Sequence, residues 1–363
     1  MLRAVSKDLF ACAYSWSGAG RWLERSDTRA LPFVIGYHRV VTNYQSSARR
    51  TIPSMLVSTA TFEKHLDWLG KRFCFVSLDD LGFHLQNERP FGRPAAAITF
   101  DDGYADVYRN AFPILKRKGI PAAVFVVTSL VGTPRFQAHD LVYALLAQRQ
   151  QQGESPRAVA LQLLKSRGQS CPALENPYFA NDEPLAVTTF LLGRLPRNDI
   201  VSLLTDSDVE FGLEPAVRDE MAPLSWEMIQ EMAANRVTIG SHTDSHVLLT
   251  AETPAVVQTE VCRSRQILEL RLRSPVNHFA YPDGRCNPGV VNAVKEAGYR
   301  FGYTICRWRD PRMPLLTIPR KVLWERSCMN ALGRFSSAVM NCHVNWAFER
   351  NRECEHDHGV KAA

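Results

Sequence analysis

Two adjacent carboxylates, Asp101 and Asp102, follow the apolar run Ala95-Ala96-Ala97-Ile98-Thr99-Phe100 and precede Gly103. Side by side at the end of such a run, they repel one another and are costly to desolvate. A dication bound by one of them relieves this and leaves the other ionised, ready to accept a proton from water. Taken alone, Asp-Asp-Gly reads first as a helix N-cap followed by a first-turn acid. A second cluster, His242-Thr243-Asp244-Ser245-His246, sets two imidazoles four residues apart, a spacing that lets both reach one metal from a helical turn or a tight loop. It departs from His-Glu-x-x-His because Thr follows His242, so no glutamate base is built into it. Solvated or capping histidines are the alternative for the pair alone. Joined by a carboxylate, two His leave coordination positions open for water and substrate, the pattern of a catalytic metal site.

The elements that must position these clusters alternate along the chain. Residues 32–40 read as a buried strand ending in polar groups, followed by a polar loop over 41–58. Thr61 is placed to cap a helix ending at Gly70, 73–76 is a short strand, and Ser77 caps the turn after it. The unalternating run 95–100 suits a parallel strand covered on both faces. A helix over about 105–117, ended by Gly119, and a strand over 121–127 complete a β–α–β unit. Residues 134–222, rich in Gln, Arg, Pro and Asn with helical patches, read as a mostly helical insertion. The rhythm resumes with Ser225 capping a helix, a strand at 237–240, a helix at 254–271, a strand at 277–280, a helix at 290–297 and a strand at 299–305. Four polar clusters thereby fall at strand ends, where parallel α/β folds gather their working groups. They are Tyr37-His38, Asp101-Asp102-Gly103, Ser241 through His246, and Tyr281-Pro282-Asp283-Gly284.

Composition sets outer bounds. With 363 residues, 45% of them hydrophobic, the chain can build a large core, and one α/β barrel with insertions reaches this length. The net charge of +6 is largely local, residues 1–50 holding eight Lys/Arg against Asp8, Glu24 and Asp27. That segment reads as a solvated face or as a contact with an anionic surface. No zinc-finger spacing, aromatic platform or long basic run points to nucleic acid. Nine scattered Cys with no Cys-x-x-Cys read as free thiols in a reducing compartment. Lys7 and Asp8 interrupt what a signal peptide needs to be apolar, and no run of about 18 apolar residues spans a membrane. The expected location is the cytoplasm or the inner face of the membrane. The stripe Val5, Leu9, Phe10, Tyr14, Trp22 and Leu23 suits either an interfacial helix or one packed on its own domain. His65, His84 and His139 have no partner within a motif, His278 reads as a core-edge residue, and Cys354-Glu355-His356-Asp357-His358 reads as part of a solvated tail.

Ile98-Thr99-Phe100-Asp101-Asp102-Gly103-Tyr104 and Gly240-Ser241-His242-Thr243-Asp244-Ser245-His246 resemble the first two motifs of the polysaccharide deacetylases, the NodB-like proteins of carbohydrate esterase family 4. Phe279 to Gly284 resembles the third-motif variant of the exopolysaccharide branch, as do Gly36-Tyr37-His38-Arg39-Val40 and the stretch from Phe62 to Leu81. The likeness covers roughly 32–130 and 224–325. It implies a distorted (β/α) barrel of about seven parallel strands over 31–340, interrupted by the insertion at 134–222, with a helical segment at 1–30 and a polar tail at 345–363.

The resemblance implies Asp101 as catalytic base and Asp102, His242 and His246 as ligands of a divalent metal, zinc first, with cobalt or nickel as alternatives. The implied substrate is an N-acetylated glycan, with a main-chain N–H near Tyr281 steadying the oxyanion. Two departures matter. No Leu-x-His follows residue 284, which leaves His38, or protonated Asp101 acting twice, to supply the proton for the leaving amine. The third motif also lacks the Arg that orients the base in the commoner version, and Arg320 is the candidate substitute. A hydrolase of another non-peptide C–N bond, such as a cyclic imide or ureide, and a non-catalytic glycan-binding relative remain the alternatives.

Overall fold

The computed structural model describes residues 2–17 and 31–349, apart from 169, 177–180, 196, 207–212, 214 and 308. The strands are β1 (Phe33–Tyr37), β2 (Arg39–Val41), β3 (Leu56–Ser58), β4 (Cys74–Phe75), β5 (Ala95–Phe100), β6 (Ala122–Val126), β7 (Val237–Ser241), β8 (His278–Ala280), β9 (Phe301–Tyr303) and β10 (Arg320–Val322). Seven of them pair in parallel in the order β10-β1-β5-β6-β7-β8-β9, with β4 added against the start of β5. The segment before β10 brings the two ends of this order together. Ile318 bridges Tyr303, and the Gly302 N–H donates to the Leu315 carbonyl at 2.9 Å. The result is a nearly closed seven-strand parallel barrel, so the strands run almost without a free edge.

Alternation along each strand decides what faces inward. Val34, Ala97, Ala123, Phe125, Ala280, Phe301 and Tyr303 form one apolar cluster. Their sequence neighbours Ile35, Ile98, Val124, Phe279 and Tyr281 belong to a larger one packed under the helices. The first set fills the barrel, the second the layer between barrel and helices. Both faces of β5 are therefore buried along its whole length, as its unalternating sequence requires. The inward parity of β5 runs Ala97, Thr99, Asp101, that of β7 Thr238, Gly240, His242, and that of β1 Gly36, His38. Gly240 is needed because a Cβ there would stand 2.5 Å from the Phe125 ring.

Several local expectations are corrected. The strand read over 32–40 divides at His38, where β2 leaves the barrel to pair with β3 in a separate two-stranded sheet. Ser58, not Thr61, caps the helix Thr59–Gly70, accepting from the Thr61 N–H. The helix after Gly103 begins as a π-turn over Val107–Ala111 before the α-helix Phe112–Lys118. Pro113 has no N–H to give the carbonyl four residues back, and the wider turn accommodates that loss.

The insertion is helical over Ala138–Gln151, Pro156–Lys165, Pro184–Leu192 and Arg197–Asp206, and it carries its own apolar cluster that includes Leu146, Leu164, Val187 and Leu203. The helix Leu2–Trp16 lies on the helix Ser337–Val344, burying Ala11 and packing Phe10 against Phe348 with the rings tilted. It leaves Leu9 and Trp16 at 68% and 94% exposure. Chain order therefore continues past 345, with Glu349 paired to Lys321. Residues 18–30, which include Trp22 and Leu23, and 350–363, which include Cys354 to His358, lie outside the described residues.

Candidate active site

Asp102, His242 and His246 each offer one ligand atom, and the three atoms lie within 4.8 Å of one another. Asp102 Oδ1 stands 3.1 Å from His246 Nε2 and 3.5 Å from His242 Nε2, is buried, and accepts no hydrogen bond. His242 Nδ1 is 2.8 Å from the Ala280 carbonyl, which can only accept, so the proton sits on Nδ1 and the Nε2 lone pair faces Asp102. A carboxylate oxygen and an imidazole lone pair turned toward each other in a buried place repel unless a cation lies between them. The donor set of two nitrogens and one oxygen fits a divalent ion with open positions.

The electrostatics follow the same geometry. Burial acts against the Asp102 carboxylate, yet His246, His139 and His38 together hold it well below the ordinary carboxylate range. Burial pushes His242 down to about 4, keeping it neutral, while for His246 burial is outweighed by Asp102, which raises it.

Asp101 sits beside this cluster on the inward face of β5. Arg320 meets it with two parallel bonds, Nη1 to Oδ1 at 2.7 Å and Nη2 to Oδ2 at 2.9 Å, both residues being buried. Arg320 also reaches the Thr99 hydroxyl at 3.2 Å and the Thr304 carbonyl at 3.3 Å, and its guanidinium lies 5.1 Å from the centre of the Phe125 ring. Burial disfavours the Asp101 carboxylate, but Arg320, His242 and His38 outweigh it and keep its pKa below the ordinary value.

The turns that carry these residues are unusual backbones. Of the eight described non-glycine residues with positive φ, Asp102 (69°), Thr243 (68°), His246 (57°) and Asp283 (55°) lie at this site. Each such residue costs on the order of 1–3 kcal/mol unless its surroundings enforce it. They do here. The Thr243 hydroxyl accepts from the His246 N–H at 2.8 Å, Asp244 accepts from the Thr128 hydroxyl at 2.7 Å, and Glu260 takes both the N–H and the hydroxyl of Ser245. The middle of the His-x-x-x-His segment is thus a clamp that presents its two ends.

A cavity of about 300 Å³ opens over the cluster, with Asp101, Asp102, His242, His246 and His38 in its wall. His38 Nδ1 is buried and has no hydrogen-bond partner. Tyr281 is placed otherwise. It has the outward parity of β8, its hydroxyl donates to the Leu316 carbonyl at 2.9 Å, and its N–H donates to the Tyr303 carbonyl at 3.1 Å. Its own amide is committed to the sheet, so a main-chain N–H near Tyr281 that serves an oxyanion has to come from a neighbouring residue. The part of the loop that faces the cavity is Pro282, Asp283 and Gly284.

His139 is the residue sequence reasoning missed. It lines the cavity, its Nε2 lies 3.9 Å from Asp102 Oδ2, and its ring is 5.1 Å from that of His246. Tyr104 donates to Asp140 at 2.7 Å, so the 2.9 Å contact from His139 Nε2 to the phenol oxygen carries the histidine's proton. Its only sequence signal is the polar group Gln137, His139, Asp140 ahead of an apolar helix, and that does not distinguish a site from a helix start. His65 is bonded to Tyr37, and His278, read as a core-edge residue, is bonded to Tyr303 and Asp79.

A family profile described as polysaccharide deacetylase matches residues 88–154 and 181–302, more than half of the chain. YxkH of Bacillus subtilis is 21% identical over 284 residues, covering 78% of this chain and 67% of that protein. The poly-β-1,6-N-acetyl-D-glucosamine N-deacetylase of Staphylococcus aureus is 32% identical over 116 residues, 30% of this chain and 40% of the enzyme. Among solved structures, the Streptococcus pyogenes deacetylase PplD superposes with a TM-score of 0.51 at 18% identity, covering 82% of this chain and 93% of that one. IcaB from Ammonifex degensii superposes with a TM-score of 0.52 at 17% identity, covering 87% and 97%. At these identities the two structures speak to the fold.

Proposed function

Because the chain belongs to the polysaccharide deacetylase family of hydrolases, we propose that it removes N-acetyl groups from an N-acetylhexosamine-containing glycan, in the synthesis of an exopolysaccharide or another cell-surface glycan. The observation that carries this reading is the pairing of two functions on adjacent residues. Asp102 faces His242 and His246, while Asp101 is turned to Arg320 in the same cavity.

Asp102, His242 and His246 would hold the divalent ion, zinc in our reading, with cobalt or nickel as substitutes. Bound there, it supplies Lewis acidity, polarising an acyl carbonyl and making water more acidic. Asp101, kept ionised by Arg320, takes the proton of the attacking water. Arg320 acts through Asp101, fixing both carboxylate oxygens so that the accepting lone pair is already aimed. His38, on the inward parity just beyond β1, is assigned the proton that leaves with the amine. Products are acetate and a free amino sugar. The helix Leu2–Trp16, with Leu9 and Trp16 exposed, is read as a contact with the inner face of the membrane. Recovery only in the soluble fraction after cell lysis would count against that contact.

The test is acetate release from N-acetylglucosamine oligomers together with metal analysis. We expect one divalent ion per chain, loss of activity on chelation, and loss of both metal and activity in His242→Ala. A fully metallated protein that releases no acetate from any N-acetylated glycan would end the proposal.

A further inference from the structure

The insertion is stitched to the catalytic turn at several points. Gln137 Nε2 donates to the Asp102 carbonyl at 3.2 Å and the Ala105 N–H to the Ala222 carbonyl at 2.8 Å, and just past the insertion the Leu224 N–H donates to the Gly103 carbonyl at 2.8 Å. On its far side, a Cβ on Gly193 would come within 3.9 Å of the Arg285 guanidinium, next to the cavity-facing loop Pro282–Gly284. The insertion therefore reaches from the turn after β5 to the loop after β8 and walls the cavity between them.

That wall is aliphatic. Among the described residues, the helices Pro184–Leu192 and Arg197–Asp206 and the turn between them present Leu185, Leu192, Leu195 and Ile200 to the cavity, with Thr188 and Thr189 adding hydroxyls and His139 at the cluster end. Met55 and Leu248 continue the apolar surface on the barrel side. A sugar ring desolvated against such a wall loses hydrogen bonds to water and regains few. An alkyl chain gains about fourfold in affinity for each CH₂ it buries. A cavity of about 300 Å³ is at the small end of those that enclose a ligand.

We propose that the substrate carries an apolar chain close to its scissile amide, and that the insertion holds this chain while the cluster on the barrel acts on the amide. The proposal rests on the amide-hydrolase reading above and names its substrate class. The chain has two chemical sources, a long N-acyl group or an apolar aglycone on the amino sugar.

Two ligand series that the enzyme cannot hydrolyse separate these sources and keep the measurement independent of turnover. One is N-alkyl glucosamines and the other alkyl glucosides, each from one to six carbons, titrated into the metal-loaded full-length protein below micelle concentrations. Affinity is expected to tighten at least tenfold along one series, and that series identifies the source. Leu192→Gln and, separately, Leu195→Gln are expected to flatten the dependence. Equal affinity along both series overturns the inference, as does a tightening that both variants leave intact. Chain-length-dependent binding in a protein that releases no carboxylate from any N-acylated sugar, whether N-acetyl or longer, would instead overturn the amide-hydrolase reading and leave the apolar pocket standing.

Discussion

Arg320 and Asp101 form a buried, two-pronged ion pair, and the fork matters as much as the charge. Arg320→Lys keeps the charge but cannot make two parallel bonds. We expect it to lower kcat/KM on N-acetylglucosamine oligomers by about 10- to 100-fold, with metal content unchanged by elemental analysis. Asp101→Asn should cost more, roughly 10²- to 10⁴-fold, because it removes the accepting group itself. A loss in Arg320→Lys that came with loss of metal would mean that the pair supports the ligands rather than the base. At this scale the sequence was legible where chemistry is local. His242 and His246 stand out by type and spacing, whereas the choice of Asp102 over Asp101 as their partner came from the resemblance and not from spacing. Tyr281 did not show its direction until the parity of β8 was known, since Phe279 and Tyr281 share the outward face. His139 arrives from the insertion through tertiary packing, which a linear reading does not contain.

The elements that present these side chains work as clamped turns rather than as helices. In the turn from His242 to His246, Thr243 is β-branched and left-handed, and it persists because its hydroxyl accepts from the His246 N–H. Thr243→Ala removes that bond without changing the backbone demand. It should weaken metal binding about tenfold, read by competition with a chromophoric chelator, and an unchanged affinity would show that Asp244 and Glu260 hold the turn alone. Strands were legible because burial on both faces removes polar residues from them, as in β5. Caps at Ser77 and Ser225 were legible because a hydroxyl before an apolar period has few other uses. The break at His38 was not, because β2 is drawn away by a long-range partner, with Asp106 accepting from the Val40 N–H and Asn110 donating to its carbonyl.

The molecule as a whole packs neutral histidine in its apolar layer. His65 is fully buried between the helix Thr59–Gly70 and β1, and burial pushes it down to about 4 from its ordinary 6.5. Between those values the unfolded chain binds more protons than the folded one. The contribution is therefore complete above about 6.5 and is lost as pH falls toward 4. Urea midpoints should drop between pH 7 and pH 5, and His65→Gln, which keeps an acceptor for the Tyr37 hydroxyl, should flatten that drop. An identical slope in the variant would assign the acid sensitivity to other groups. The barrel was foreseeable from its alternating elements, whereas the role of 134–222 was not, because nothing in a polar, helix-prone stretch says which surface it will cover.

The bond between Arg320 and Asp101 also spans 219 residues, and that distance has a consequence in time. At about 5–20 residues per second, a ribosome adds Arg320 roughly 10–45 s after Asp101. During that interval β1 and β5 are already made, but the stretch that joins β9 back to β1 is not. Asp101 then has no guanidinium to meet it, and the wall is open at one seam. A nascent chain arrested before residue 320 is expected to be protease-sensitive, and one released after it protected. The last described strand to leave the ribosome thus closes the ring and brings Arg320 to Asp101, so that on the proposed reading an incomplete chain does not present a competent site.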